Sequence, residues 1–294
     1  MTAVGPQVRR HSADDEVQVS ALGKAVLLQA WLHEAQSVLV GFSGGVDSAY
    51  LACAAVDALG ADRVLAVVAR SASYPQAQWD TARDLARAFD LPLLEVDTHE
   101  LADPRYAANP VNRCYFCKSE LWQVLVPVAR ERGLAVVVDG TNVDDVGDYR
   151  PGARAAAEHG VRSPLAAVGL TKAEIRLLSR DRGLPTWSQP SSPCLSSRIP
   201  YHTAVTPDRL RRVERAEQAL RDLGVQGDLR VRYHDDLARV ELPAGTLDSW
   251  LTPDRAEGVR AALCAAGFSR VAIDLRGFRS GSLNVLSGVV PGDA

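Results

Sequence analysis

Two groups of residues have the types and spacing to do chemistry. The first is Ser43-Gly44-Gly45-Val46-Asp47-Ser48, between the apolar run 37–42 and a stretch, 47–59, that is apolar nearly all round. Strand, glycine turn and helix in that order make an anion site. The glycines let the backbone come close to phosphate oxygens, and the first N–H groups of the helix face an anion with the dipole behind them. Ser43 and Ser48 add hydroxyl donors. Asp47 is an odd neighbour for a polyphosphate unless Mg²⁺ or a main-chain cap accounts for it. The Gly-Lys-Ser/Thr element of a Walker A loop is absent. The second group is three thiols: Cys114 and Cys117 in Cys-Tyr-Phe-Cys, and Cys194 far along the chain. Three thiolates suit a [4Fe–4S] cluster with one iron left open. Zinc in a structural site wants a fourth protein ligand, and a thioredoxin-like pair lacks its surrounding pattern. Unligated thiols fit the sequence as well as a cluster does. Cys53 and Cys264 lie in apolar helical stretches and read as core.

The elements that must position these groups follow from hydrophobic period. Segments 37–42, 64–68, 92–96 and 135–138 read as strands. Segments 47–59, 76–89 and 121–132 read as helices, the last kinked or interrupted at Pro127. Strands alternating with helices predict an α/β fold: a parallel sheet with helices on both faces. Ala69 and Ser71 end the second strand, on the edge where such sheets bind ligands. Asp139-Gly140-Thr141-Asn142-Val143-Asp144-Asp145 follows the fourth strand on that edge, so Gly140, Thr141 and Asp144 are candidates to meet Mg²⁺ or ribose hydroxyls. Residues 184–201 are rich in Pro and Ser and predict a long functional loop or linker, mobile around Cys194. Beyond it, Thr206 and Pro207 open a charged amphipathic helix, 207–223. Strands at 229–233, 237–242 and 271–275 and a helix at 255–266 predict a smaller α+β domain. The expected division is a disordered tail, 1–17, a nucleotide domain with cysteine-bearing loops, 18–200, and the small domain, 201–294.

Composition narrows the function classes. The 294 residues are 47% hydrophobic and 23% charged, and 33 basic against 36 acidic residues leave a net charge of −3. That balance gives no global drive toward nucleic acid. No stretch approaches the roughly 20 apolar residues of a membrane span, and the polar start carries no secretory signal. The expectation is a cytoplasmic protein with reduced cysteines.

The loop resembles the PP-loop of the ATP pyrophosphatases, adenine nucleotide α-hydrolase-like proteins that cleave ATP between the α and β phosphates. Further segments occur with it in a particular order. They are Asn109-Pro110-Val111-Asn112-Arg113-Cys114-Tyr115-Phe116-Cys117-Lys118, Asp139-Gly140-Thr141-Asn142, Leu170 to Arg176, Pro193-Cys194-Leu195-Ser196-Ser197-Arg198-Ile199-Pro200-Tyr201, Arg230-Val231-Arg232-Tyr233-His234, and Asp274 to Asn284. Together they resemble the LarE family of sulfur transferases over roughly residues 30–284. The resemblance implies ATP and Mg²⁺ as cofactors and adenylation of the carboxylates of pyridinium-3,5-biscarboxylic acid mononucleotide. Sulfur then replaces AMP on the way to the nickel-pincer nucleotide. Some members sacrifice the sulfur of a cysteine matching Cys194. Others carry three cysteines and hold a [4Fe–4S] cluster whose open iron carries hydrosulfide, and cysteine stands here at all three positions, Cys114, Cys117 and Cys194.

By the same resemblance, Arg230 and Arg232 hold the substrate's phosphate or carboxylate. If both lie on a strand, their spacing of two puts them on one face, and arginine forks suit planar oxyanions. Arg198 is expected to hold an anion or lower the Cys194 pKa, and Lys118 to meet a phosphate or stay solvated. Glu217 and Glu241 are weaker candidates for the sulfur-transfer pocket. The expected partners are a small-molecule mononucleotide, sulfide or a sulfur-donor system, and further copies of the chain, with no nucleic acid and no membrane. A tRNA-thiolating enzyme would share the loop but add an RNA-binding domain or basic face. An amidating synthetase would leave the three cysteines unexplained, and a nucleotide-sensing protein would release no pyrophosphate.

Overall fold

The apolar runs pair as β1 (Val38–Gly41), β2 (Val64–Arg70), β3 (Leu93–Asp97) and β4 (Val136–Val138) in a computed structural model that describes residues 13–146, 151–190 and 193–279. All four strands are parallel, in the order β3-β2-β1-β4. Because β1 connects outward in both directions, the order reverses between β1 and β4, and a crevice opens there at the carboxyl ends of the strands. The loops that begin at Phe42 and Asp139 both leave the sheet at that crevice.

The helices of this part are α1 (Ala13–Ala35), α2 (Val46–Leu59), α3 (Gln76–Ala88), α4 (Pro104–Ala107), α5 (Arg113–Glu131), α6 (Pro151–Glu158), α7 (Pro164–Ala167) and α8 (Lys172–Asp181). The strands alternate their side chains between two apolar layers, as a sheet covered on both faces requires. Val38, Val40, Ala66 and Val68 face a layer that includes α1, α2 and α8. Leu39, Val67 and Val137 face α5 and α6, with Trp122 and Leu125 at the centre. The trailing unit has α9 (Pro207–Asp222), β5 (Arg230–His234), β6 (Leu237–Glu241), α10 (Leu247–Trp250), α11 (Pro253–Ala265) and β7 (Arg270–Ile273). Its sheet runs β5-β6-β7, with β5–β6 antiparallel and β6–β7 parallel, and a separate core joins it to α9 and α11. Among the described residues no helix is long and apolar enough to cross a membrane.

Two elements differ from the sequence reading. The cysteine-bearing stretch is not a loop: α5 begins at Arg113, eight residues before the expected start, and runs through Pro127. Asn109, in the left-handed region at φ 57°, turns the chain so that the helix can begin after Asn112. The sequence reading assigned no helix to 18–35, yet α1 fills that stretch. Ala21, Leu28 and Leu32 pack inward while Val19, Leu22, Val26 and Leu27 stay exposed, so apolar residues on both sides blur the periodic signal. Residues 1–12 lie outside those described; 13–17 belong to α1.

Candidate active site

The phosphate loop is folded by its own hydroxyls. Ser48 Oγ accepts from the Ser43 amide at 3.1 Å, lies 3.1 Å from Ser43 Oγ and donates to the Gly45 carbonyl at 3.1 Å. Gly45 caps α2 with no side-chain acceptor, so no cap side chain competes with an anion for the first amides of that helix. Gly44 has φ +65°, and a Cβ there would stand 2.7 Å from Ala82 Cβ on α3. Tyr74 and Gln78 both donate to the Ser43 carbonyl, at 2.7 and 3.1 Å, and so fix the loop against the start of α3.

The β4 loop closes the crevice from the other side. A Cβ on Gly140 would approach the Ser48 amide to 2.9 Å, so only glycine lets the two backbones meet. Asp139 accepts from the Thr141 amide and hydroxyl at 3.1 and 3.0 Å and from Ser163 at 2.7 Å. Asn142 donates to Asp47 at 3.3 Å, and Lys172, the first residue of α8, makes an ion pair with the same carboxylate. The Lys172 amide donates to Asp144 at 2.7 Å. A cation therefore stands over the loop, which accounts for an aspartate in an anion site. Sequence reasoning missed Lys172, although its motif was visible. Ala69 and Ser71 lie at the carboxyl end of β2, partly exposed, and Ser71 borders a cleft of about 380 Å³ between that strand end and α9.

The thiols converge from two segments. Cys114 and Cys117, three residues apart, share one side of the first turn of α5. Crowding around its sulfur raises the Cys114 thiol although the residue as a whole is exposed, and the next largest influence is Cys194. Burial also raises Cys117, followed by Glu100 and Cys194. All three sulfurs thus lie within electrostatic reach of one another. No three His, Cys, Asp or Glu side chains among the described residues are close enough to hold a single metal ion. A cubane is wider than one ion, and its three thiolates bind different irons and stand further apart. The donor set of three thiols without a fourth fits a cubane with an open iron. For Mg²⁺, one or two carboxylates plus substrate phosphates suffice, and Asp47 and Asp144 border the loop.

From Pro193 on, the Cys194 turn is held by hydrogen bonds to neighbouring elements; Ser191 and Ser192 lie outside the described residues. The Leu195 amide donates to the Ser73 carbonyl at 2.8 Å. Tyr106 and Ser196 hydroxyls meet at 2.7 Å. Buried Arg113 donates to the Ser196 carbonyl at 3.0 Å and pairs with Asn109. Asn109 holds the carbonyls of Pro200 and Thr203 at 2.7 and 2.9 Å.

Arg198 is 2% exposed, and its fork meets both oxygens of Glu217 at 2.9 Å. Its third nitrogen holds the carbonyls of Pro193 and Cys194 at 2.6 and 3.1 Å. It thus grips the backbone of the cysteine, and Glu217 also accepts the Val231 amide at 2.9 Å. On β5, Arg230 and Arg232 share a face as their spacing predicts. Arg232 donates to Glu241 at 2.8 Å and to the Ser197 carbonyl at 2.9 Å. Glu241 is fully buried and also pairs with Arg239 at 3.1 Å. Burial, then the neighbouring Arg198, lower Arg230 to about 10, and its guanidinium lies 4.8 Å over Phe278. The structure thus gathers the arginine and glutamate candidates around the Cys194 turn. Lys118 is exposed, 5.4 Å over Trp122. Cys53 is buried as expected, but Cys264 is only half-buried, 3.8 Å from Arg260 on the open side of α11.

The sequence is similar to those of known proteins. Residues 24–108 match the NAD synthase family, which covers the phosphate loop and the first three strands. An uncharacterized protein of Synechocystis is 43% identical over 87% of this chain and 95% of its own length. A protein of Lactiplantibacillus plantarum named pyridinium-3,5-bisthiocarboxylic acid mononucleotide synthase is 38% identical over 90% of this chain and 94% of its own. A glutamine-dependent NAD(+) synthetase of Rhodobacter capsulatus is 43% identical, but over 28% of this chain only.

Proposed function

The chain belongs to the LarE family of ATP-dependent sulfur transferases, and from that premise we propose that it converts the carboxylates of pyridinium-3,5-biscarboxylic acid mononucleotide to thiocarboxylates for the nickel-pincer cofactor. A carboxylate oxygen attacks the α phosphorus of ATP, the bond to the bridging oxygen breaks, and pyrophosphate leaves. A sulfur nucleophile then adds to the acyl carbon and AMP departs with the carboxylate oxygen. Atoms and charge balance without any electron transfer.

The observation that carries this reading is the single peptide segment, Ser71 to Ser73, that links the two chemistries. Ser71 lies at the nucleotide edge of β2, and the Ser73 carbonyl holds the residue after Cys194. In the first step the α2 amides, Ser43, Ser48 and Lys172 stabilise charge on the departing pyrophosphate. Gly44, Gly45 and Val46 supply close backbone, and Asp47 and Asp144 would hold Mg²⁺. Ala69, Ser71, Gly140 and Thr141 border the rest of the nucleotide. In the second step Arg230 and Arg232 hold the substrate's anionic groups. Arg198, oriented by Glu217, presents Cys194, and Glu241 orients Arg232. Cys114, Cys117 and Cys194 would hold a [4Fe–4S] cluster, which when bound supplies an open iron able to carry hydrosulfide. We place this reaction in the cytoplasm, in a homo-oligomer; the exposed apolar side of α1 offers a surface for a second copy, and light scattering tests it.

The test is anaerobic reconstitution of wild type and of Cys114→Ala, Cys117→Ala and Cys194→Ala with iron and sulfide. About four irons per chain, lost in each variant, are expected for the cubane. Iron-free wild type would refute the cluster. Mass loss of H₂S at Cys194 after turnover would instead identify this cysteine as the sulfur donor.

A further inference from the structure

Glu100 lies in the short turn Glu100–Ala102 after β3, 3% exposed, and the adenylation chemistry does not use it. One carboxylate oxygen accepts the Ser73 hydroxyl at 2.6 Å and the other the Thr98 hydroxyl at 3.2 Å. Ser73 lies 3.0 Å from the Ser71 hydroxyl, and its carbonyl holds Leu195. Leu101, next in the turn, packs in the same core as Cys117. Through Ser73 the carboxylate is therefore linked to the residue after Cys194, between the nucleotide edge and the thiol-bearing segments.

A buried carboxylate beside thiols that must lose their protons to bind metal is unfavourable. It calls for a compensating role. The overall reaction exchanges oxygen for sulfide and moves no electrons, so a cluster serving it works as a Lewis acid in one oxidation state. An added electron would weaken its hold on an anionic sulfur ligand. A fixed negative charge in a low-dielectric site opposes that electron, since reduction potential follows local charge, hydrogen bonding and burial.

We propose that Glu100 is a positioning residue for the [4Fe–4S] group, whose buried charge, oriented by Ser73 and Thr98, lowers the cluster's reduction potential and keeps it oxidised during sulfur transfer. The inference rests on the cluster reading above. Iron content and midpoint potential, by EPR-monitored titration of the reconstituted protein, test it in wild type, Glu100→Gln, Glu100→Asp and Thr98→Val. Glu100→Gln is expected to keep about four irons per chain and to shift the midpoint to more positive potential, and Glu100→Asp to restore it. Thr98→Val removes one of the two donors that hold the carboxylate in place and favour its charged form, so its midpoint is expected to move the same way by a smaller amount. Glu100→Gln with full iron and the wild-type midpoint would overturn the proposal. If that variant loads no iron, an unchanged or more negative midpoint in Thr98→Val overturns it. Iron-free wild type refutes the cluster reading itself, which separates the two failures.

Discussion

Substituting Gly44 by alanine tests how the phosphate loop is held. The residue sits at φ +65°, and the new methyl carbon would stand 2.7 Å from Ala82 Cβ and 2.9 Å from Ala82 Cα. The left-handed backbone costs an alanine about 1–2 kcal/mol. Overpacking against α3 costs about 1–3 kcal/mol more. The destabilisation is therefore expected at about 2–5 kcal/mol, read as a lowered urea midpoint. α3 has little room to withdraw, because Tyr74 and Gln78 bind it to the Ser43 carbonyl. ATP affinity, by calorimetry, should fall with stability. Ala82→Gly alone should cost about 1 kcal/mol from helix propensity, yet added to Gly44→Ala it removes the closest contact, leaving Ala82 Cα at 2.9 Å. The double variant should then be more stable than the sum of the singles by about 0.5–1.5 kcal/mol, the part of the overpacking that the Ala82 methyl causes. Wild-type stability and affinity in Gly44→Ala would refute the reasoning. Strict additivity would show that contact with the Ala82 methyl is not the cause.

Three other outcomes follow from named contacts. Lys172→Ala should slow substrate-dependent pyrophosphate release about 10²–10³-fold, as loss of one fixed electrostatic partner does, with a small effect on the urea midpoint because the pair is partly exposed. Burial alone would raise the Glu174 carboxyl, but Lys24, the Thr171 amide and Ser20 outweigh it and hold it at about 2. A depressed folded pKa stabilises above the ordinary carboxyl range of about 4.5 and the gain is lost as pH falls to about 2; Trp31 fluorescence against pH should show α1 releasing there, and Glu174→Gln should flatten that limb. Glu241→Ala leaves Arg232 and Arg239 buried without their shared partner and should cost about 3–5 kcal/mol, read by thermal unfolding.

The parts legible in the sequence were those whose signal is local. Six contiguous residues announce the phosphate loop, because glycine and hydroxyl positions in a strand-to-helix turn are fixed by that turn alone. Period-two spacing placed Arg230 and Arg232 on one face for the same reason. What stayed hidden depends on distant partners. Arg198 and Glu217 look like a free cation and a surface acid until α9 folds over the Cys194 turn and pairs them. Lys172 reaches Asp47 only once α8 packs beside α2. Glu100 carries no local mark, since a glutamate in a short turn is ordinarily solvated. The early start of α5 escaped because the periodic reading placed that helix only at 121–132.

The seating of Gly140 on the start of α2 bears on how the protein is made. β4 pairs with β1 across about a hundred residues of chain, so on the ribosome the phosphate loop emerges long before the glycine that backs it. Until then the new chain has the loop's residues but not its second wall. Lys172 comes later still, and the arginine pair of β5 last. A chain truncated before Gly140 therefore lacks the loop's second wall, and one truncated before Lys172 lacks the cation paired with Asp47.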